Sequence, residues 1–114
     1  MVTDEVIFTY ERMEHVETKR LNLFDEVKDI LANAIYNPDY IYEDWNNREN
    51  TLVLIKSLDN KSKLNVVLKI ALANDEKHTR NSIITMIKIG EKTFNKIIKN
   101  KNENLLFVKL DNKE

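Results

Sequence analysis

His15 stands one turn after Glu11 and one turn before Lys19, so a helix here puts a carboxylate, an imidazole and an ammonium on one face. An imidazole titrates near neutral pH, a carboxylate can orient it, and a neighbouring cation can hold an anion. Together these make a general acid–base group beside a phosphate. A half-exposed helix with ordinary salt-bridging neighbours gives the same spacing. A second stretch, Arg80-Asn81-Ser82-Ile83-Ile84-Thr85-Met86-Ile87-Lys88, reads as a strand that carries hydroxyls and cations among its apolar residues. Such a strand suits either an anion site or an exposed end. In a regular strand Ser82 and Thr85 point to opposite faces, so one site uses both only across a bulge or from the strand end.

Other chemistries fare worse. The chain has no cysteine, which removes disulfides, thiolate nucleophiles and zinc–thiolate sites. Its two histidines, His15 and His78, are too far apart for a zinc-ligand spacing, and His78 reads as a loop residue. The single glycine, Gly90, cannot build a phosphate-cradling loop. Glu43, Asp44 and Glu49 lack the calcium-loop pattern. No cofactor is expected. Tyr40, Tyr42 and Trp45 suit base stacking or, more simply, a core.

The elements that must position these residues follow from periodicity. Val6-Ile7-Phe8 reads as a short strand or anchored arm. Thr9 caps a predicted helix from about Tyr10 to Lys19, with Met13 and Val16 inward. Leu23, Phe24, Val27, Ile30, Leu31, Ala34 and Ile35 predict a second helix, capped by Asn22 and stopped at Asn37-Pro38. The period then changes to two. Strands are expected at Tyr40 to Trp45, Thr51 to Leu58, Leu64 to Leu72 and Arg80 to Lys88, joined by short polar turns and a polar loop from Asn74 to Arg80. The alternation of Leu64, Val66, Leu68, Ile70 and Leu72 sets one buried face. A last helix begins near Glu91, with Phe94, Ile97 and Ile98 inward and Lys92, Lys96 and Lys99 outward. Asn104 to Leu110 is a closing strand or a packed tail. The expected fold is α+β: one domain over residues 1–114, with N-terminal helices on an antiparallel meander of four or slightly more strands, and a C-terminal helix.

With 42% hydrophobic and 32% charged residues, the composition is that of an ordinary globular domain. No apolar run approaches membrane-spanning length, and the N-terminus lacks a secretory pattern, so a cytoplasmic protein without membrane contact is expected. The formal net charge of −1 hides an asymmetry. Residues 1–50 hold 12 acids and 5 bases, a net of −7, while residues 51–114 hold 7 acids and 13 bases, a net of +6. A fold that gathers the second set on one surface would attract polyanions.

Four segments, "VIFTYERMEHVETKR" (6–20), "ILANAIYNPDYIYED" (30–44), "LNVVLKIAL" (64–72) and "RNSIITMIK" (80–88), resemble in their order and spacing the phage-borne nucleases of the barnase–EndoU–colicin–RelE superfamily. The resemblance implies metal-independent RNA cleavage, in which the ribose 2′-hydroxyl attacks the adjacent phosphate. By position it implies His15 as the acid–base group and Arg20 at the reacting phosphate. Ser82 and Thr85 would donate to phosphoryl oxygens, with Lys19, Lys69, Arg80 and Lys88 as phosphate-binding cations. RNA would be the substrate, and an inhibitory antitoxin or immunity protein, or phage head proteins, the partners. Relatives in that superfamily commonly show a histidine, three residues, then Arg-His. Here those positions read Lys19-Arg20, without the second histidine. That departure implies the alternative, a module on the same fold that binds RNA or serves phage assembly without cutting. A third reading is an interaction domain whose acidic N-terminal half docks a basic partner.

Overall fold

The computed structural model of the chain describes residues 5–20, 22–46, 48–59, 61–71 and 81–110. Its elements run β1 (Val6–Ile7), α1 (Tyr10–Lys19), α2 (Leu23–Tyr36), β2 (Tyr40–Glu43), β3 (Thr51–Ser57), β4 (Ser62–Lys69), β5 (Asn81–Gly90), α3 (Glu91–Asn100), a 3-10 turn (Asn102–Asn104) and β6 (Leu105–Val108). The fold is α+β, as the periodicity predicts. The expected meander β2-β3-β4-β5 forms the middle of a six-stranded sheet of order β1-β5-β4-β3-β2-β6. Two additions flank it. β1 pairs parallel to β5, and β6 pairs antiparallel to β2. A helix forms near the C-terminus, but the last described element is the strand β6, so the apolar run after α3 closes the sheet. Among the described residues no helix is long and apolar enough to cross a membrane.

Both faces of the sheet are covered. On one, Val16 of α1 and Leu23, Val27, Ala34 and Ile35 of α2 meet Leu54, Leu64, Val66, Leu68, Ile83 and Met86. On the other, Phe94 and Ile97 of α3 meet Tyr42, Val53, Ile55, Val67 and Ile89. This explains why β3 and β4 are apolar on both sides although only one side of β4 alternates cleanly. It also places Tyr40, Tyr42 and Trp45 in the second core, where their rings contact one another and Phe94. They are packing residues and do not form a stacking platform. Ile98, expected inward, lies on the flank of α3 and is 40% exposed.

Helix ends are held partly by local and partly by distant groups. The Thr9 hydroxyl accepts from the Arg12 N–H at 3.2 Å, the predicted cap of α1. Asn22 does precede α2, but in the left-handed conformation (φ 64°), and its side chain makes no capping bond. The Glu17 carboxylate caps α2 instead, accepting from the N–H groups of Asn22 at 3.0 Å and Phe24 at 3.1 Å. An anion there also suits the positive end of the helix dipole. At the other end α2 has no basic residue of its own in its last turn. Lys56 of β3 supplies one, its Nζ donating to the Asn37 carbonyl at 2.8 Å and lying 3.6 Å from the Asp39 carboxylate.

Candidate nucleic-acid interface

The two helical layers carry opposite charge. α1 and α2 contain Glu11, Glu14, Glu17, Asp25, Glu26 and Asp29 against Arg12, Lys19 and Lys28. α3 contains Lys92, Lys96 and Lys99 against Glu91. The helices on the two faces of the sheet therefore differ in charge, acidic on one and basic on the other.

On α3 the lysines recur at i, i+4 and i+7, so they form one stripe about 10 Å long at the helical rise. Phe94 and Ile97 are buried on the opposite side of the same helix. Among the described residues Lys92, Lys96 and Lys99 form no ion pair, and all three are exposed. Lys63 of β4 joins this face, its ammonium 4.5 Å from the Phe94 ring centroid and donating to the Ser57 hydroxyl at 3.0 Å. The ring satisfies Lys63 without neutralising it.

β5 resolves the question of its own hydroxyls. The register shifts between Val67 and Leu68. Thr85 pairs with Val67 and Ile83 with Leu68, which leaves Ile84 as an extra residue. That bulge turns Ser82 and Thr85 to the same face, because Ser82 pairs with Lys69 and Thr85 with Val67, two residues apart on one side of β4. Val67 belongs to the core under α3, so Lys69, Ser82 and Thr85 lie on the α3 side of the sheet. All three are partly exposed. Asn81, at the start of the strand, is fully buried and structural; its side-chain oxygen accepts from the Ala71 N–H at 2.8 Å.

The remaining candidates lie on the other side. Glu11, His15 and Lys19 share the exposed face of α1, as their spacing predicts, and line a shallow depression with Arg12, Glu14 and Thr18. All six belong to one helix, so among the described residues no second wall encloses a substrate there. Arg20, at the end of α1, is five residues and about 140° around the helix from His15. It lines a separate cavity of about 280 Å³ with Leu23, Glu26, Ile87 and Lys88. Among the described residues one guanidinium nitrogen of Arg20 is buried without a hydrogen-bond partner. Lys88 pairs with Leu64, a residue of the α1–α2 core, and its ammonium bonds the Glu26 carboxylate at 2.5 Å. That bond holds the Lys88 pKa above the ordinary lysine range. Lys88 is thus already paired with a carboxylate.

The predicted residues therefore divide. His15, Lys19, Arg20 and Lys88 stand on the α1–α2 side, and Lys69, Ser82 and Thr85 on the α3 side. Arg80 and His78 lie outside the described residues. His15 and the Ser82–Thr85 pair therefore stand on opposite faces of the sheet. Comparison with protein families, curated proteins and solved structures finds no match. The likeness to the nuclease superfamily accordingly rests on the segments quoted above, and the function on the chain's own geometry.

A further cavity, about 600 Å³, opens at the end of the sheet between the β2–β3 turn and the start of β6. Its wall holds Asp44, whose carboxylate is buried and accepts from Arg48 Nε at 2.6 Å and from the Asn46 N–H at 3.0 Å. Burial alone would raise the Asp44 pKa, but these donors outweigh it and hold it below the usual carboxylate range. Among the described residues no three histidine, aspartate or glutamate side chains gather as a metal-holding group.

Proposed function

We propose that this protein binds RNA through its α3 face in a cytoplasmic setting, and that it does so without cutting. The observation that carries the reading is the unpaired lysine stripe Lys92-Lys96-Lys99, extended by Lys63 and, across the same face of the sheet, by Lys69, Ser82 and Thr85. Ammonium groups free of internal carboxylates are available to replace the counterions of a phosphate backbone. The hydroxyls of Ser82 and Thr85 add donors suited to phosphate oxygens, with no sequence preference of their own. The acidic α1–α2 layer repels the same backbone, so a strand of RNA is confined to one side.

Catalysis is the second reading, and the Glu11-His15-Lys19 face supports it. One experiment separates the two. Purified protein is titrated into labelled single-stranded RNA in EDTA, with binding followed by anisotropy and RNA length by gel. The expected result is reversible binding with intact RNA. If the three stripe lysines each neutralise one phosphate, the logarithm of affinity falls with the logarithm of salt with a slope of about −2. Cleavage that disappears in His15→Ala would transfer the function to α1. Absence of binding even at low salt would remove the RNA reading.

A further inference from the structure

β6 is the sheet edge that stays open and greasy. Leu106 is 55% exposed, Phe107 44%, Val108 38%, and the following Leu110 76%. Leu105–Val108 contains no charge and no proline, the usual guards of a free edge. The opposite edge, β1, is only two residues long and partly buried.

The backbone of β6 specifies how another strand would add. The Lys109 N–H donates to the Asp39 carbonyl at 2.7 Å, so Lys109 faces β2. Alternation then turns the N–H and C=O of Val108, and those of Leu110 two residues on, to the open edge. The bulge in the β2–β6 pairing falls at Leu106 itself, so the regular edge runs through Phe107 and Val108 and is continued by the Lys109 N–H bond to Asp39. Antiparallel pairing of this edge with itself about a two-fold axis at Val108 sets Val108 against Val108, with the bulged Leu106 of each copy toward Leu110 of the other. It also sets Phe107 of each copy beside Lys109 of the other. Phe107 pairs with Ile41 of the α1–α2 core, so Phe107 and Lys109 sit on that side and the ammonium can lie over the ring. Val108 thus finds an apolar partner and Phe107 a cation in this register. No like charges stand directly opposite.

We infer that a second copy of this chain pairs at β6, which joins two six-stranded sheets into one of twelve strands. The axis of such a pairing is normal to the sheet, so both α3 helices fall on the same face. The dimer stands on β6 alone. Its consequence, two lysine stripes presented to one polyanion, rests on the RNA-binding reading.

The test is sedimentation equilibrium without RNA, on the full chain and on Leu106→Lys/Leu110→Lys. Edge pairing buries little area, so association is weak and concentration-dependent. The wild type should rise from the mass of one chain toward that of two as concentration increases. The variant should stay at one, with an unchanged circular dichroism spectrum and melting temperature, because both side chains point to solvent. A wild type that remains monomeric at the highest attainable concentration overturns the proposal. So does a dimer that the double substitution leaves intact. A variant that loses its fold is replaced by Val108→Lys, read the same way. Failure of RNA binding in a protein that still dimerises would count against the α3 reading alone.

Discussion

Leu64→Ala is expected to lower the stability of the domain by about 3 kcal/mol, read as a fall in the urea midpoint at unchanged slope. Leu64, the third residue of β4, is fully buried between Lys56 of β3 and Lys88 of β5 in register. It contributes to the core beneath α1 and α2, which holds most of the large buried aliphatic residues. Truncation removes the transfer free energy of three carbons and leaves a void. The flanking strands cannot close it without breaking ladder hydrogen bonds. Ile98→Ala makes the comparison. That side chain is 40% exposed on α3, and its loss should change stability by less than about 1 kcal/mol. Equal effects at the two sites would contradict the assignment of the core.

Arg48→Ala is expected to lower stability by about 2 kcal/mol at neutral pH, since it leaves the Asp44 carboxylate buried with only the backbone N–H groups of positions 46 and 48 as support. Arg48 is itself partly exposed, which keeps the loss below that of a wholly buried pair. The pH dependence gives a sharper signature. In the native protein the Asp44 pKa lies below its unfolded value, and so does that of Asp39. Burial works against the Asp39 charge too, but the Ser57 N–H and hydroxyl and the Lys56 ammonium outweigh it. A depressed carboxylate pKa contributes stability that is complete above the unfolded value, near pH 4, and lost as pH falls through the folded value. The wild type should therefore weaken in acid. Without Arg48, burial raises the folded pKa of Asp44, and protonation then relieves the variant. The gap between the two proteins should narrow as pH falls toward and below about 4. A gap that widens in acid would mean that Asp44 is not the group Arg48 serves.

The strong periodicities make the frame legible in the sequence. α2 and the alternation of β4 need only local spacing, and so does the Thr9 cap. What escaped was set by groups far apart in sequence. Glu17 caps α2 because α1 ends beside it, whereas sequence favours the adjacent Asn22. Lys56 bonds the end of α2 from a strand 19 residues on. β1 and β6 were readable as short apolar runs, but their places at the two sheet edges follow from tertiary pairing.

The site shows the same division. Glu11, His15 and Lys19 do share a face, because i, i+4 spacing within one helix is a local fact. Whether that face meets β5 is not local, and a single extra residue, Ile84, decides which way Ser82 and Thr85 point. The lysines of α3 were visible as an outward stripe. Their significance needs the fold, which places the acids of α1 and α2 on the opposite layer and leaves the stripe without an ion pair among the described residues.

Charge reversal on one layer at a time shows which helical face holds the RNA. RNA affinity is measured over a range of salt for the wild type, for Lys92→Glu/Lys96→Glu/Lys99→Glu on α3, and for Arg12→Glu/Lys19→Glu on α1. The account predicts that the α3 variant binds every RNA sequence more weakly and that its salt slope is smaller by about 2, while the α1 variant keeps both affinity and slope. Loss of binding in the α1 variant with retention in the α3 variant would contradict it and place the RNA beside His15.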